Sequence, residues 1–196
     1  MYSMRKSEKT RRFIIEKSAK IFNKKGVAGT SISDLMESTK LAKGGIYGNF
    51  NSKEEISLEA FDYLANNVAA GLDKAIAGKT TGREKLFALL DYYCDNLATN
   101  ELGGCPMLNF GIEADDTNPG LRQRVSKAIK RSQQRIARAI EEGKAKGEFA
   151  KRTDSDLFAV KMFAMIEGAI FASRVTGNSG LMKTVVDVLK KEIYAF

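Results

Sequence analysis

The stretch that decides the fold is residues 26–56, GVAGTSISDLMESTKLAKGGIYGNFNSKEEI. Gly26 is a good stop for the helical pattern before it. Ser31 and Asp34 have the spacing of a capping box, with Asp as a weaker substitute for Glu, so a helix starts at Thr30 or Ser31. Ile32, Leu35 and Met36 form its buried face, and Thr39 to Leu41 make the turn. A short helix follows over about 42–49, with Ile46 and Phe50 anchored inward at i, i+4 and Lys43, Gly44, Gly45 and Asn49 outward. Ser52 caps a long helix with Glu54 and Glu55 in its first turn, where acids complement the helix dipole. Two short helices around a tight turn, backed by a third, are helix-turn-helix geometry. Two glycines opening an exposed helix each cost up to about 1 kcal/mol against alanine. They make better sense if something large, such as a DNA major groove, must approach the backbone.

Working outward, the first helix spans about 8–25 with Ile14, Ile15, Ser18, Ala19 and Phe22 on one face. The helix capped by Ser52 continues to about Ala77, and the next spans about 82–99. Another covers about 104–115. Asn118-Pro119 opens a helix to Lys146, with Leu121, Val125, Ile129, Ile136 and Ile140 on one face. Two more cover Asp154–Thr176 and Leu181–Phe196. No sustained period-two alternation appears. The expected fold is all-α with about nine helices. An N-terminal three-helix helix-turn-helix domain (1–53) precedes a C-terminal helical ligand-binding and dimerisation domain (54–196).

The chain has 196 residues, 43% apolar and 29% charged, which suits a folded globular protein. Histidine is absent, so a His-dependent triad or His-ligated metal is excluded. Two cysteines, Cys94 and Cys105, are too few for a structural zinc site, and no cofactor or metal is expected. No apolar run is long enough for a transmembrane helix, and MYSMRKSEKTRRF lacks the apolar core of a secretory signal, so a cytoplasmic setting is expected. Residues 1–53 hold twelve basic and four acidic side chains, the entire net charge of +8. The other 143 residues balance at twenty of each. Such asymmetry points to a polyanion met by one end of the molecule.

The segment resembles the N-terminal domain of the TetR family of bacterial transcriptional regulators. The matching features are Phe22 and Gly26, then Thr30 to Leu35 (TSISDL), Leu41 to Phe50 (LAKGGIYGNF) and Ser52 to Glu54 (SKE). Three departures stand out: Lys40 at a turn position usually held by Gly, Ala42 and Gly45 where Ser or Thr is frequent, and Gly48-Asn49 for a common His pair. The resemblance implies a homodimer that binds a two-fold operator on double-stranded DNA and is released by a small-molecule effector. Thr30 and Ser31, at a helix N-terminus, and Tyr47 and Lys53 are candidates for phosphate contact. Lys43 is the candidate for a base edge or phosphate, Asn49 for a base or phosphate, and Gly44 and Gly45 permit close approach. Arg5, Lys6, Arg11 and Arg12 form an N-terminal arm or first turn that tracks the backbone. The alternatives are a core aromatic for Tyr47, a plain surface lysine for Lys53, and a tail without function for Arg5 and Lys6.

The neutral remainder would hold the effector, unidentified by the sequence, with Phe87, Tyr92, Cys105, Met107, Asn109, Phe110, Met162 and Phe163 as candidate pocket residues. Most of these also suit a plain core. Cys105, Asn109 and Glu113 recur every four residues, on one stripe of a helix that starts near Cys105. The spacing is similar to a G-C-x-x-x-N-x-x-x-E segment in a branch of TetR-like regulators, some of which sense electrophiles or oxidants through the cysteine. The alternative is a structural hydrogen-bond set holding that helix. Cys94 reads as inert core. The basic residues of 119–146 read as a solvated outer face, with a second nucleic-acid site as the other reading. Homodimerisation is expected through Asp154–Thr176 and Leu181–Phe196. The first would present Met162, Met165, Ile166, Ala169, Ile170 and Ser173, with small Gly168 and Ala172 allowing close helix contact, and the second Leu181, Val185, Val188 and Leu189. Two competing functions, a thiol-dependent helical enzyme and a protein-binding helical adaptor, lack respectively a paired catalytic base and an explanation for the charge asymmetry.

Overall fold

The computed structural model describes residues 6–98 and 103–196, and of Lys6 the backbone alone. Among these residues there are nine helices and no strand. They are α1 (Lys6–Lys25), α2 (Ile32–Thr39), α3 (Lys43–Tyr47), α4 (Lys53–Ile76), α5 (Gly82–Asn96), α6 (Pro106–Ala114), α7 (Pro119–Ala145), α8 (Ser155–Thr176) and α9 (Gly180–Tyr194). Helix α6 starts two residues later than Gly104, the expected start. Gly103 and Gly104 sit at φ of 103° and 102°, which no α-helix tolerates, so the helix waits for Pro106. The expected end of the fifth helix near Thr99 lies outside the described residues.

The chain divides into two compact units, one of Met1–Asn67 with Pro106–Val125 and one of Val68–Cys105 with Ser126–Phe196. The division therefore does not fall at residue 53. The first part of α4, all of α6 and the start of α7 belong with the helix-turn-helix.

In the first unit α1 buries Ile14, Ser18, Ala19 and Phe22, as its spacing predicts, while Ile15 is only half-buried. Ser31 and Asp34 form the full capping box on α2. Leu35 is fully buried, and the expected partners Ile32 and Met36 are half-buried. Ile46 and Phe50 anchor α3 in the core, and the Phe61 and Phe110 rings meet at 5.5 Å. Lys40 closes α2 in the left-handed region at φ 57°, the one non-glycine residue there among those described. Ser52 caps α4 by accepting from the Glu55 amide at 3.0 Å.

In the second unit Thr81 and Glu84 form a capping box on α5, and Asp154 caps α8 through the Leu157 amide. The core is built from Leu86, Leu89 and Leu90 of α5, Ile136 and Ile140 of α7, Met162, Ile166 and Ile170 of α8, and Met182, Leu189 and Ile193 of α9. Ile129, expected on the buried face of α7, is only half-buried. The expected outward faces of the last two helices need correction. Met162, Ile166, Ala169, Ile170 and Ser173 are buried within the subunit, as is Leu189. The stripe that α8 exposes is Leu157, Val160, Ala164, Gly168, Phe171 and Val175, of which Gly168 was expected, and Val188 of α9 is exposed as expected. Helix α8 is apolar nearly all round, so its periodicity does not say which side packs inward.

Candidate functional site

Helix α3 presents a nearly bare surface. Lys43, Gly44, Gly45 and Tyr47 are exposed, and a Cβ added at Gly44 would meet nothing within 4 Å. At Gly45 it would meet only the Leu41 side chain, at an ordinary 3.5 Å. Neither glycine is required by packing inside this unit. The Lys43 ammonium lies 5.9 Å from the Tyr47 ring centroid, so both side chains emerge from the same face. Asn49 is half-buried and donates to the Gly45 carbonyl at 2.8 Å, which holds the end of α3 in place.

The remaining predicted contacts are engaged inside the unit. Thr30 is fully buried and its hydroxyl donates to the Gly26 carbonyl at 2.6 Å, so its side chain does not face a phosphate. Ser31 is exposed, but its hydroxyl donates to Asp34 Oδ2 at 2.8 Å. Lys25, 2.6 Å from the Asp34 carboxylate, together with Ser31, holds that carboxyl well below the usual range. The Lys53 ammonium donates to the carbonyls of Val27 at 2.7 Å and Thr30 at 2.9 Å, tying the α1–α2 turn to the start of α4. Arg11 is not part of a loose arm. It pairs with Glu55 and Glu59, donates to the Asn49 carbonyl and stacks 4.0 Å over the Phe50 ring. Arg12 pairs with Glu16 along α1, and Arg5 and the Lys6 side chain lie outside the described residues. The Arg11 clamp reaches 38 to 48 residues along the chain and has no local sequence signal.

Helix α6 holds the same turn from the other side. The Glu113 carboxylate accepts from the Val27 and Ala28 amides. Gly26 sits at φ 77°, and a Cβ there would press to 2.9 Å of that carboxylate. Asn109 donates to the Asn23 carbonyl at 2.9 Å. The sequence spacing singled out Asn109 and Glu113 without revealing these partners, which lie 85 and 86 residues away.

The second unit contains a buried polar group of its own. Cys105 is fully buried, and its thiol donates to Glu167 Oε1 at 3.0 Å. Burial pushes the Glu167 carboxyl up to about 7, with the thiol hydrogen bond opposing, and its Oε2 is buried without a partner. Burial, then the neighbouring Cys105 and Glu167, push the Tyr93 phenol up. Sequence reasoning missed Glu167; a lone acid inside the apolar run of α8 was the available signal. Cys94 is half-buried rather than core, and burial raises its thiol.

Of the candidate pocket residues, Phe87, Tyr92, Cys105, Met162 and Phe163 fall in the second unit and Met107, Asn109 and Phe110 in the first. Met107, Phe110, Met162 and Phe163 are buried, and Phe87 packs edge-on against Tyr194 at 5.2 Å. A Cβ at Gly71 would collide with the half-buried Tyr92 ring, which fills that space. No group of three or more side chains suited to a metal ion occurs among the described residues, and no described helix is long and apolar enough to cross a membrane.

Comparison with known proteins agrees with this geometry. A TetR-family transcriptional regulator from Cytophaga hutchinsonii superposes with a TM-score of 0.93 and 38% identity, covering 100% of this chain and 98% of the other. One from Chloroflexus aurantiacus superposes at 0.92 with 38% identity, covering 97% and 96%. The HTH-type transcriptional repressor DhaR of Mycobacterium sp. (strain GP1) is 23% identical over 86% of this chain and 84% of its own length. Residues 14–60 match the bacterial regulatory proteins of the tetR family, and residues 82–189 match the tetracyclin repressor-like C-terminal domain, so the chain belongs to the TetR family.

Proposed function

We propose that the protein is a dimeric, ligand-responsive transcriptional repressor that reads an operator with α3 and has no enzymatic activity of its own. It acts in the cytoplasm, where that DNA is. The observation that carries this reading is the open backbone at Gly44, flanked by Lys43 and Tyr47 on the exposed face of α3. A groove-reading helix needs close backbone approach and a few projecting donors, and a helix built for packing needs neither. Lys43 and Tyr47 are the proposed DNA contacts, with Gly44 and Gly45 as the surface of approach. Asn49 holds the end of that surface, and Lys53 and Thr30 hold the α1–α2 turn.

The test begins with selection of bound fragments from random duplex DNA, followed by anisotropy titrations on the selected duplex. Gly44→Gln, which projects a side chain into open space, is expected to leave folding and dimerisation intact and to weaken binding at least tenfold. Unchanged affinity overturns the docking surface.

The exposed stripe on α8 supports a two-fold interface. Leu157, Val160, Phe171 and Val175 are each more than half exposed and spaced to form one seam, with Ala164 and Gly168 between them. A Cβ at Gly168 would meet nothing within 4 Å, leaving room for a partner helix. Phe171→Glu is expected to yield monomers in analytical ultracentrifugation. A dimer of unchanged stability places the interface elsewhere.

A further inference from the structure

We propose that the second unit carries a binding site for a small, multiply charged anion, in a cavity walled by the basic stripe of α7. The cavity, half open to solvent, has a volume of about 640 Å³, within the range of small-molecule sites. Asp73 and Ile76 of α4, Lys85 of α5, and α7 from Lys127 to Glu142 form its wall.

Six basic and two acidic side chains line it. Both acids are already matched within the wall: Glu142 by Lys85, and Asp73 by Arg135, whose Nε and Nη2 approach at 2.8 and 2.7 Å. Lys127, Lys130 and Arg138 make no ion pair with any described residue, and all three are exposed. The wall is thus strongly positive, although residues 54–196 are neutral as a whole. The charge is concentrated at one place on the surface of the unit.

The spacing adds to this. Lys127, Lys130, Arg131, Gln134 and Arg138 recur at helical intervals, so like charges crowd one face of α7. From Lys127 to Arg138 the stripe rises roughly 16 Å, enough to span two or three anionic groups. Arg135 anchors the inner wall. Its side chain is only 12% exposed, and Nη1 is buried without an acceptor. A guanidinium set this deep with unused donor capacity is poorly compensated by the single exposed carboxylate of Asp73.

These features select the ligand class. Only Ile76 and Ala139 in the wall are apolar, which disfavours a drug-like or fatty ligand. Several cations around one concave space fit a phosphate ester, a polyphosphate or a polycarboxylate. Residues of α4, α5 and α7 border this space, whose volume suits a small molecule. The site deepens the repressor reading by naming the class of its effector, and only that consequence rests on the reading.

The experiment uses the full chain. Thermal melts and isothermal titration calorimetry are run with inorganic tripolyphosphate and with citrate, against sodium chloride of matched ionic strength. The expected result is a melting shift of several degrees beyond the salt control, at about 1 mM ligand. The larger response between the two separates phosphate from carboxylate recognition. The Lys130→Gln/Arg138→Gln variant is expected to lose at least tenfold in anion affinity while keeping its helicity and its affinity for the selected duplex. No shift beyond salt, or an equal shift in the variant, overturns the site. Loss of duplex affinity in the variant overturns it in favour of a nucleic-acid contact. Addition of the better anion is expected to release bound duplex, and binding without release overturns the effector role. A chain that binds the anion but no duplex at all refutes the repressor reading and leaves the site standing.

Discussion

Replacing Glu167 with glutamine tests the buried polar group of the second unit. Glu167 is 8% exposed, accepts the Cys105 thiol through Oε1 and leaves Oε2 without a partner. Burial raises its carboxyl from 4.5 to about 7. The folded state therefore holds a proton that the unfolded state has lost between those values. The stability that this group contributes is full below about pH 4.5, falls as pH rises through that window, and is gone above about 7. At 1.36 kcal/mol per pH unit the loss amounts to about 3 kcal/mol. Glutamine has the shape of the protonated acid, keeps an acceptor for Cys105 and cannot ionise. Its amide introduces a constant cost of roughly 1–3 kcal/mol if the buried donor finds no acceptor, but that cost does not change with pH. The difference in stability between Glu167→Gln and the parent is thus expected to rise by about 2.5 kcal/mol from pH 5 to pH 8. In melting temperature this is roughly 5–10 °C for a chain of this size. Asp34, Glu55, Glu84 and Glu141 are all held below the usual carboxylate range, so their contributions are lost only in more acid solution. Calorimetry on both proteins at constant ionic strength measures the effect. Parallel pH profiles would refute the buried-acid argument.

Four further outcomes are expected. Lys40→Gly relieves a left-handed residue costing roughly 1–2 kcal/mol and loses about 0.5–1 kcal/mol of chain entropy, so melting should rise by a few degrees at most; a fall argues against strain at that turn. Glu113→Ala removes the acceptor of the Val27 and Ala28 amides and should cost about 1–3 kcal/mol in urea denaturation, since water reaches the turn only in part; no change would mean the grip is idle. A thiol reagent should modify Cys94 slowly and Cys105 only on unfolding, because Cys105 is fully enclosed; rapid loss of both thiols in the native protein contradicts this and favours a sensing cysteine. Lys43→Ala should lower the salt dependence of duplex binding by roughly one unit per protomer, whereas Lys40→Gln, on the preceding turn, serves as the comparison; equal slopes for parent and Lys43→Ala remove Lys43 from the phosphate contacts.

The parts of the fold legible in the sequence were those written locally. Ser31 with Asp34, Ser52 ahead of α4, and Pro119 at the start of α7 each act within one turn, so their meaning does not depend on the rest of the chain. The Ile46 and Phe50 anchors were legible for the same reason. What stayed hidden depends on partners far along the chain. Thr30, Lys53 and Arg11 carry the right groups for phosphate, but each is turned to a carbonyl or carboxylate supplied by folding. On α8 both sides are apolar, and only the positions of α5, α7 and α9 decide that Met162, Ile166 and Ile170 face inward. The cationic face of α7 reads in the sequence as a solvated surface, and Lys127, Lys130, Arg131 and Arg138 are exposed; its own spacing does not show that Asp73 and Ile76 of α4 and Lys85 of α5 border it.

The polar groups around the α1–α2 turn share one physical effect. Lys53, Glu113 and Asn109 fasten the end of α1 and the α1–α2 turn, and Arg11 fastens the Asn49 carbonyl just after α3. Their side-chain entropy is lost when the unit folds, not when a partner arrives, so a duplex meets a surface already in place. Charge that looks available in the sequence is spent on that preorganisation, and the surface left for recognition is small: open backbone at Gly44 and Gly45 with Lys43 and Tyr47 beside it. Two side chains can specify few bases directly. The proposed repressor therefore depends on having two copies of α3 at a set separation, since spacing between half-sites carries the discrimination that one short helix does not. On this account the apolar seam of α8 is as much a determinant of operator choice as the residues that touch DNA.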